Sequence, residues 1–170
     1  FELNPQMGKE GQNIGEHIAE KYGATPEQSA ANRAMIRQRA ADLGFTMQMS
    51  DTSRIYNTFD AHRLLHWADL EGKQAALKRA LFEAYFTDQQ DPSDPAVLVA
   101  VAEKVGLDPA RAAEILASDL YAQEVRAAEQ LWLSRGIHSV PAIVINDQYL
   151  ISGGQPPEAF EQALREIAAA

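Results

Sequence analysis

The residues of this chain that could do chemistry are few, and most lie in two short stretches near its C-terminal end. The first is Gly136-Ile137-His138-Ser139-Val140-Pro141-Ala142-Ile143-Val144-Ile145, where a proline opens an apolar, β-branched run. At the first position of a strand the missing N–H of Pro141 costs no ladder bond. The second is Gly153-Gly154-Gln155, just ahead of a helical pattern. Bare amides at a helix N-terminus favour a carboxylate or thiolate, and a plain glycine turn explains the same residues equally well. His62, in Asp60-Ala61-His62-Arg63, has the pKa to move a proton near neutral pH; packing or capping is the commoner use of such a residue. His62 and His66 share a helix face, but no third ligand is spaced to complete a metal site, so none is expected. The 170 residues contain no cysteine, no phosphate-binding glycine loop and no nucleophile elbow.

These stretches need a scaffold, and the chain is long enough to build one with a buried core. A net charge of −9, with basic residues scattered among acidic ones, argues against nucleic acid as a partner. The apolar run Val140 to Ile145 is too short to cross a bilayer, so no membrane partner is expected.

Phe1-Glu2-Leu3 alternates like the end of a strand and stops at Asn4-Pro5. Ile14, Ile18 and Tyr22 recur at helical spacing before Gly23, and Thr25-Pro26-Glu27-Gln28 is a capping box opening a helix that runs to Leu43. Phe45 to Met49 reads as a short strand or an extended link. Asn57-Thr58 caps a helix with Phe59, Leu64, Leu65 and Trp67 inward. Another follows, burying Ala76, Leu77, Ala80, Leu81, Ala84 and Tyr85. Asp94-Pro95 and Asp108-Pro109 each start a helix, and Ser118 is positioned to cap one more, closed by Arg135-Gly136. At the end, Ala142 to Ile145, an Asn146-Asp147 turn and Tyr149 to Ile151 form a hairpin, and a final helix carries Phe160, Leu164 and Ile167 on its inner face. Strands at both ends with helices between indicate an α/β sheet interrupted by a helical insertion. The expected division is 1–10 and 137–170 for the sheet-bearing part and 11–136 for the insertion.

Taken together, Phe1-Glu2-Leu3-Asn4-Pro5, Asn57-Thr58-Phe59-Asp60-Ala61-His62-Arg63-Leu64, Ser139-Val140-Pro141 and Ile151-Ser152-Gly153-Gly154-Gln155-Pro156 resemble the DsbA-like thioredoxin superfamily, nearest its FrnE-like branch. That branch is related to the 2-hydroxychromene-2-carboxylate isomerases and kappa-class glutathione transferases. The order and spacing of the four stretches extend the resemblance over essentially the whole chain.

The resemblance implies a thioredoxin-like α/β fold with a large all-helical insertion, and thiol–disulfide oxidoreductase activity on protein or small-molecule thiols. It implies a Cys-x-x-Cys pair upstream of Phe1, with the first strand and redox helix, in about forty further residues. It also implies a cis Val140–Pro141 bond in a loop that pairs with substrate backbone. Ser139, Val140, Pro141, Gly154, Gln155, His62 and Asn57 would line the site. No cofactor is expected. A glutathione-dependent isomerase or transferase is the alternative, glutathione then being its cofactor, and a redox-inert peptide-binding scaffold is another. Location in the cytoplasm and a homodimer fit the resemblance.

Overall fold

The computed structural model describes residues 1–50 and 52–169, and the chain separates into two units, Phe1–Arg126 and Ala127–Ala170. Most helices of the first unit start where the sequence supplies a cap. In α1 (Ile14–Tyr22) the Asn13 side chain accepts from the amides of Gly15 and Glu16, and Gly23 ends the helix in the left-handed region. In α2 (Pro26–Asp42) Thr25 and Gln28 complete the capping box. Asp94 and Asp108 accept from the amides of Ala96 and Ala110, with proline at the first helical position of α5 (Pro95–Lys104) and α6 (Pro109–Leu116). Such caps satisfy amide groups that the helix leaves without partners.

The core lies among α3 (Phe59–Leu70), α4 (Gln74–Phe82), α5 and α6, with Leu64, Leu77, Leu98 and Ile115 fully buried and Trp67, Ala68, Ala102 and Ala112 around them. Each buried Leu or Ile contributes about 1.5–3 kcal/mol relative to an exposed one, so this four-helix cluster sets the stability of the unit. By contrast α1 buries no residue and α2 buries only Ser29. Two short strands, β1 (Gln12–Asn13) and β2 (Arg54–Ile55), pair antiparallel at the base of α1. Gly11 enters β1 at φ +62°, where an added Cβ would lie 2.4 Å from the carbonyl oxygen of Ile55.

Several local expectations are corrected here. Phe1-Glu2-Leu3 is not a strand: Glu2 is buried beside Arg126, Leu3 is 52% exposed, and a turn follows at Asn4. Period-2 alternation cannot tell a strand from an irregular segment whose inward residue is an ion-paired acid. Phe45 to Met49 is a link, one of the two forms expected of it, held by bonds such as Gln48 N–H to the Phe86 carbonyl at 2.7 Å. Ala76 is exposed rather than inward. After α4 the chain widens into a π-helical turn, Glu83–Thr87, which re-aims the residues after Phe82. Ser118 does not cap the next helix; its hydroxyl donates to the Glu114 carbonyl at the end of α6, and α7 (Ala122–Ser134) starts later.

In the second unit, β3 (Ala142–Ile145) and β4 (Tyr149–Ser152) pair antiparallel with Ile145 opposite Tyr149. Asn146 and Asp147 both take positive φ, at 53° and 54°, as residue types that tolerate this region do. The helix α8 (Pro157–Ala169) follows. Its apolar face is less covered than its sequence predicts: Phe160 and Ile167 are half-buried and Leu164 is 52% exposed. Amphipathic spacing marks which face is apolar, not how much of it is covered. Each unit thus carries one two-stranded antiparallel sheet among the described residues, with most of the helices between the two sheets in chain order, an α/β architecture.

Candidate functional site

The predicted site residues fall into two groups, one in each unit. In the second unit, α7 ends at Gly136, whose φ of 80° turns the chain out of the helix, and Ile137 N–H closes the turn on the Trp132 carbonyl at 3.1 Å. The chain then runs through Ser139 and Val140, both exposed, into Pro141 and β3. The Val140–Pro141 peptide bond is cis, as expected. At the open end of the hairpin Ala142 pairs with Ser152, and one step beyond, Gly153 N–H donates to the Pro141 carbonyl at 2.9 Å. That bond ties the proline loop to the glycine turn, so Ser139, Val140, Pro141, Gly154 and Gln155 converge at the end of the hairpin opposite Asn146-Asp147.

Two details define what this end can do. Val140 is 48% exposed, and its backbone N–H and C=O form no hydrogen bond among the described residues. An extended chain laid beside it would find one donor and one acceptor available. The glycine turn is less suited to anions: Gln155 folds back to donate to the Ser152 carbonyl at 3.0 Å, and Pro156 and Pro157 remove two amides from the start of α8. Backbone pairing is therefore the stronger chemistry of this surface.

In the first unit, Asn57 and His62 sit at the start of α3. Asn57, rather than Thr58, caps the helix: its Oδ1 accepts from Phe59 N–H at 2.9 Å while its Nδ2 donates to the Met7 carbonyl at 2.8 Å. Thr58 has φ −108° and ψ 13°, not the extended conformation from which a capping hydroxyl reaches the first turn. His62 Nδ1 lies 2.8 Å from the Thr58 carbonyl, so that nitrogen carries the proton and donates. Both side chains thus hold the N-terminal turn of α3 and the segment at Met7 in place.

Arg63, next to His62, is structural. It is 4% exposed, pairs with Asp60 at 2.8 Å, and donates to the carbonyls of Leu120, Ile115 and Ser118. No sequence motif marks the Glu2–Arg126 ion pair, in which the Arg126 guanidinium lies 3.8 Å from the centre of the Phe59 ring. Partners 124 residues apart leave no local signal. Among the described residues no group of three or more His, Cys, Asp or Glu could hold a metal ion, and no helix is long and apolar enough to cross a membrane.

Residues 1–165 match the DSBA-like thioredoxin domain. The uncharacterized protein YwbO of Bacillus subtilis (strain 168) is 28% identical over 132 residues, which make up 77% of this chain and 66% of that protein. The chain therefore spans just under two thirds of that curated relative. The crystal structure of a probable DsbA oxidoreductase from Streptomyces coelicolor is similar with a TM-score of 0.91 and 36% identity, covering 98% of this chain and 72% of the other. A candidate protein disulfide isomerase from Nitrosomonas europaea, at 20% identity and a TM-score of 0.66 over 89% of this chain and 86% of the other, shares the fold.

Proposed function

The chain belongs to the DSBA-like thioredoxin domain family, and from that premise we propose that the protein is a thiol–disulfide oxidoreductase whose Cys-x-x-Cys pair lies upstream of Phe1. What carries the reading is the exposed Ser139–Val140 backbone beside Pro141, tied to Gly153 and able to align an extended substrate. In the oxidising direction a substrate thiolate attacks one sulfur of the upstream disulfide, forming a mixed disulfide and releasing the other cysteine as thiolate. A second substrate thiolate then attacks the substrate sulfur of that bond, so two electrons pass to the cysteine pair and the substrate leaves oxidised. The attacking or leaving thiolate is favoured when it sits at a helix N-terminus.

In this reading Ser139, Val140 and Pro141 hold the substrate chain, Gly154 and Gln155 border it, and Asn57 and His62 keep the start of α3 in shape. Substrates are protein or small-molecule thiols and disulfides, and no cofactor is required. A cytoplasmic location and a homodimer belong to the same proposal and rest on the resemblance.

The test is intact mass of the full-length gene product with and without a thiol-alkylating reagent, followed by oxidation of a reduced, unfolded protein substrate. Two alkylatable thiols and catalysed disulfide formation are expected. A full-length product with no thiol overturns the proposal. A single thiol with glutathione-dependent isomerisation or transfer activity overturns it in favour of the glutathione enzyme.

A further inference from the structure

The first unit also holds a cavity lined by none of the residues that the proposed chemistry uses. A surface cavity of about 130 Å³ is lined from β1–β2, from Met49 and its neighbours and from the π-helical turn. Ile14, Met49, Tyr56, Tyr85 and Phe86, all half-buried, form its apolar side, and the exposed Arg54 and Gln90 with neighbouring hydroxyls form its polar side. Aromatic and apolar side chains with a few polar groups beside them are the usual make-up of a small-molecule site.

The aromatic wall is preformed. Tyr85 meets Tyr56 edge-on, with ring centroids 6.3 Å apart at 85°, and Phe86 at 4.7 Å and 69°. The Tyr85 hydroxyl donates to the Arg54 carbonyl at 2.7 Å, which fixes the ring. Burial, with Tyr56 adding to it, pushes the Tyr85 phenol up to about 12. Tyr85 and Phe86, consecutive residues of the π turn, both line the cavity, and the turn is closed by Asp88 N–H bonded to the Glu83 carbonyl at 3.0 Å and Gln90 N–H to the Ala84 carbonyl at 2.8 Å. Turns of this kind recur at functional sites.

We propose that this cavity binds a single aromatic ring bearing one hydrogen-bonding substituent, the ring against Tyr56, Tyr85 and Phe86 and the substituent at the rim. The ring could come from a free phenolic compound or from an aromatic side chain of a polypeptide, and the two are separable by experiment.

The probe is phenol, titrated into the uniformly 15N-labelled chain, with cyclohexanol as a non-aromatic control of similar size. Saturable shifts confined to the amides around Met49, Tyr56, Tyr85 and Phe86 are expected, with a dissociation constant of about a millimolar or below. Cyclohexanol should bind about tenfold more weakly. Gln90→Trp, at the exposed rim, should block the cavity and weaken phenol about tenfold, whereas Gln90→Ala should not; an otherwise unchanged spectrum shows that each variant is folded. Binding of N-acetyltyrosine amide as tight as that of phenol assigns the ring to a polypeptide, and its exclusion assigns it to a free aromatic compound. No saturable shift with phenol, or equal binding of cyclohexanol, overturns the proposal.

Discussion

Arg63 offers the most demanding test of how the helical unit is held together. Its guanidinium is 4% exposed and serves four acceptors: the Asp60 carboxylate at 2.8 Å, the Leu120 carbonyl at 2.9 Å, and the carbonyls of Ile115 and Ser118. The three carbonyls end α6 and lead into α7. Replacement by Met keeps much of the apolar stem and removes every donor. Ile115 would still accept from the Ser118 amide and hydroxyl, each at 3.3 Å, but the Ser118 and Leu120 carbonyls would lose the guanidinium. An acceptor left unsatisfied costs about 1–3 kcal/mol, and loss of a cation at a helix C-terminus adds about 0.3–1 kcal/mol. Water can reach Ser118, which is exposed, so a net loss of about 3 kcal/mol is expected for Arg63→Met. Asp60→Asn should cost under about 1 kcal/mol, because the Asp60 side chain is 39% exposed and such pairs are worth little. The assay is urea unfolding followed by fluorescence of the buried Trp67 in a Trp132→Phe background, which leaves one tryptophan. An Arg63→Met loss below about 1 kcal/mol, or an Asp60→Asn loss as large as that of Arg63→Met, would refute the reasoning and show that the carbonyl bonds carry no net stability.

Gly11→Ala should destabilise the first unit by about 1–3 kcal/mol, since its φ is +62° and the new Cβ would lie 2.4 Å from the Ile55 carbonyl oxygen; Gly8→Ala, with nothing within 4 Å of the added Cβ, is the matched control in the same unfolding assay. The Tyr85 phenol is raised to about 12 from 10.0 in the folded state, so an unfolded chain ionises first as pH rises. The stability this group contributes is complete below pH about 10 and lost on the way to about 12, a fall of about 1–2 kcal/mol after allowing for partial exposure of the ring. Melting temperatures of Tyr85→Phe and the unaltered chain, compared at pH about 9 and about 11, should converge or cross because only the unaltered chain carries that loss. A constant difference across that range would exclude the linkage.

Helix punctuation was legible because it is local. Asn13, Thr25, Asp94 and Asp108 cap the helices they precede, since a short polar side chain reaches amides two or three residues on in any context. The hairpin and its Asn146-Asp147 turn were legible for the same reason. Where one signal fits two backbones the reading was less sharp: of Asn57-Thr58 only Asn57 caps, and Ser118 finished a helix instead of starting one. Neither the π turn nor the Tyr56–Tyr85 wall announced itself, because its parts come from segments 29 positions apart that acquire meaning only when folded together.

The sequence by itself determined the family, the order of helices and the proline loop, all of which reside in short contiguous patterns. Tertiary structure decided which polar groups remain available. It placed the Arg63 guanidinium inside the helical unit, spent both ends of Asn57 on backbone groups, and left the Val140 backbone open. A side chain's chemistry is set by its type, but its use is set by the acceptors that distant segments bring within hydrogen-bonding range.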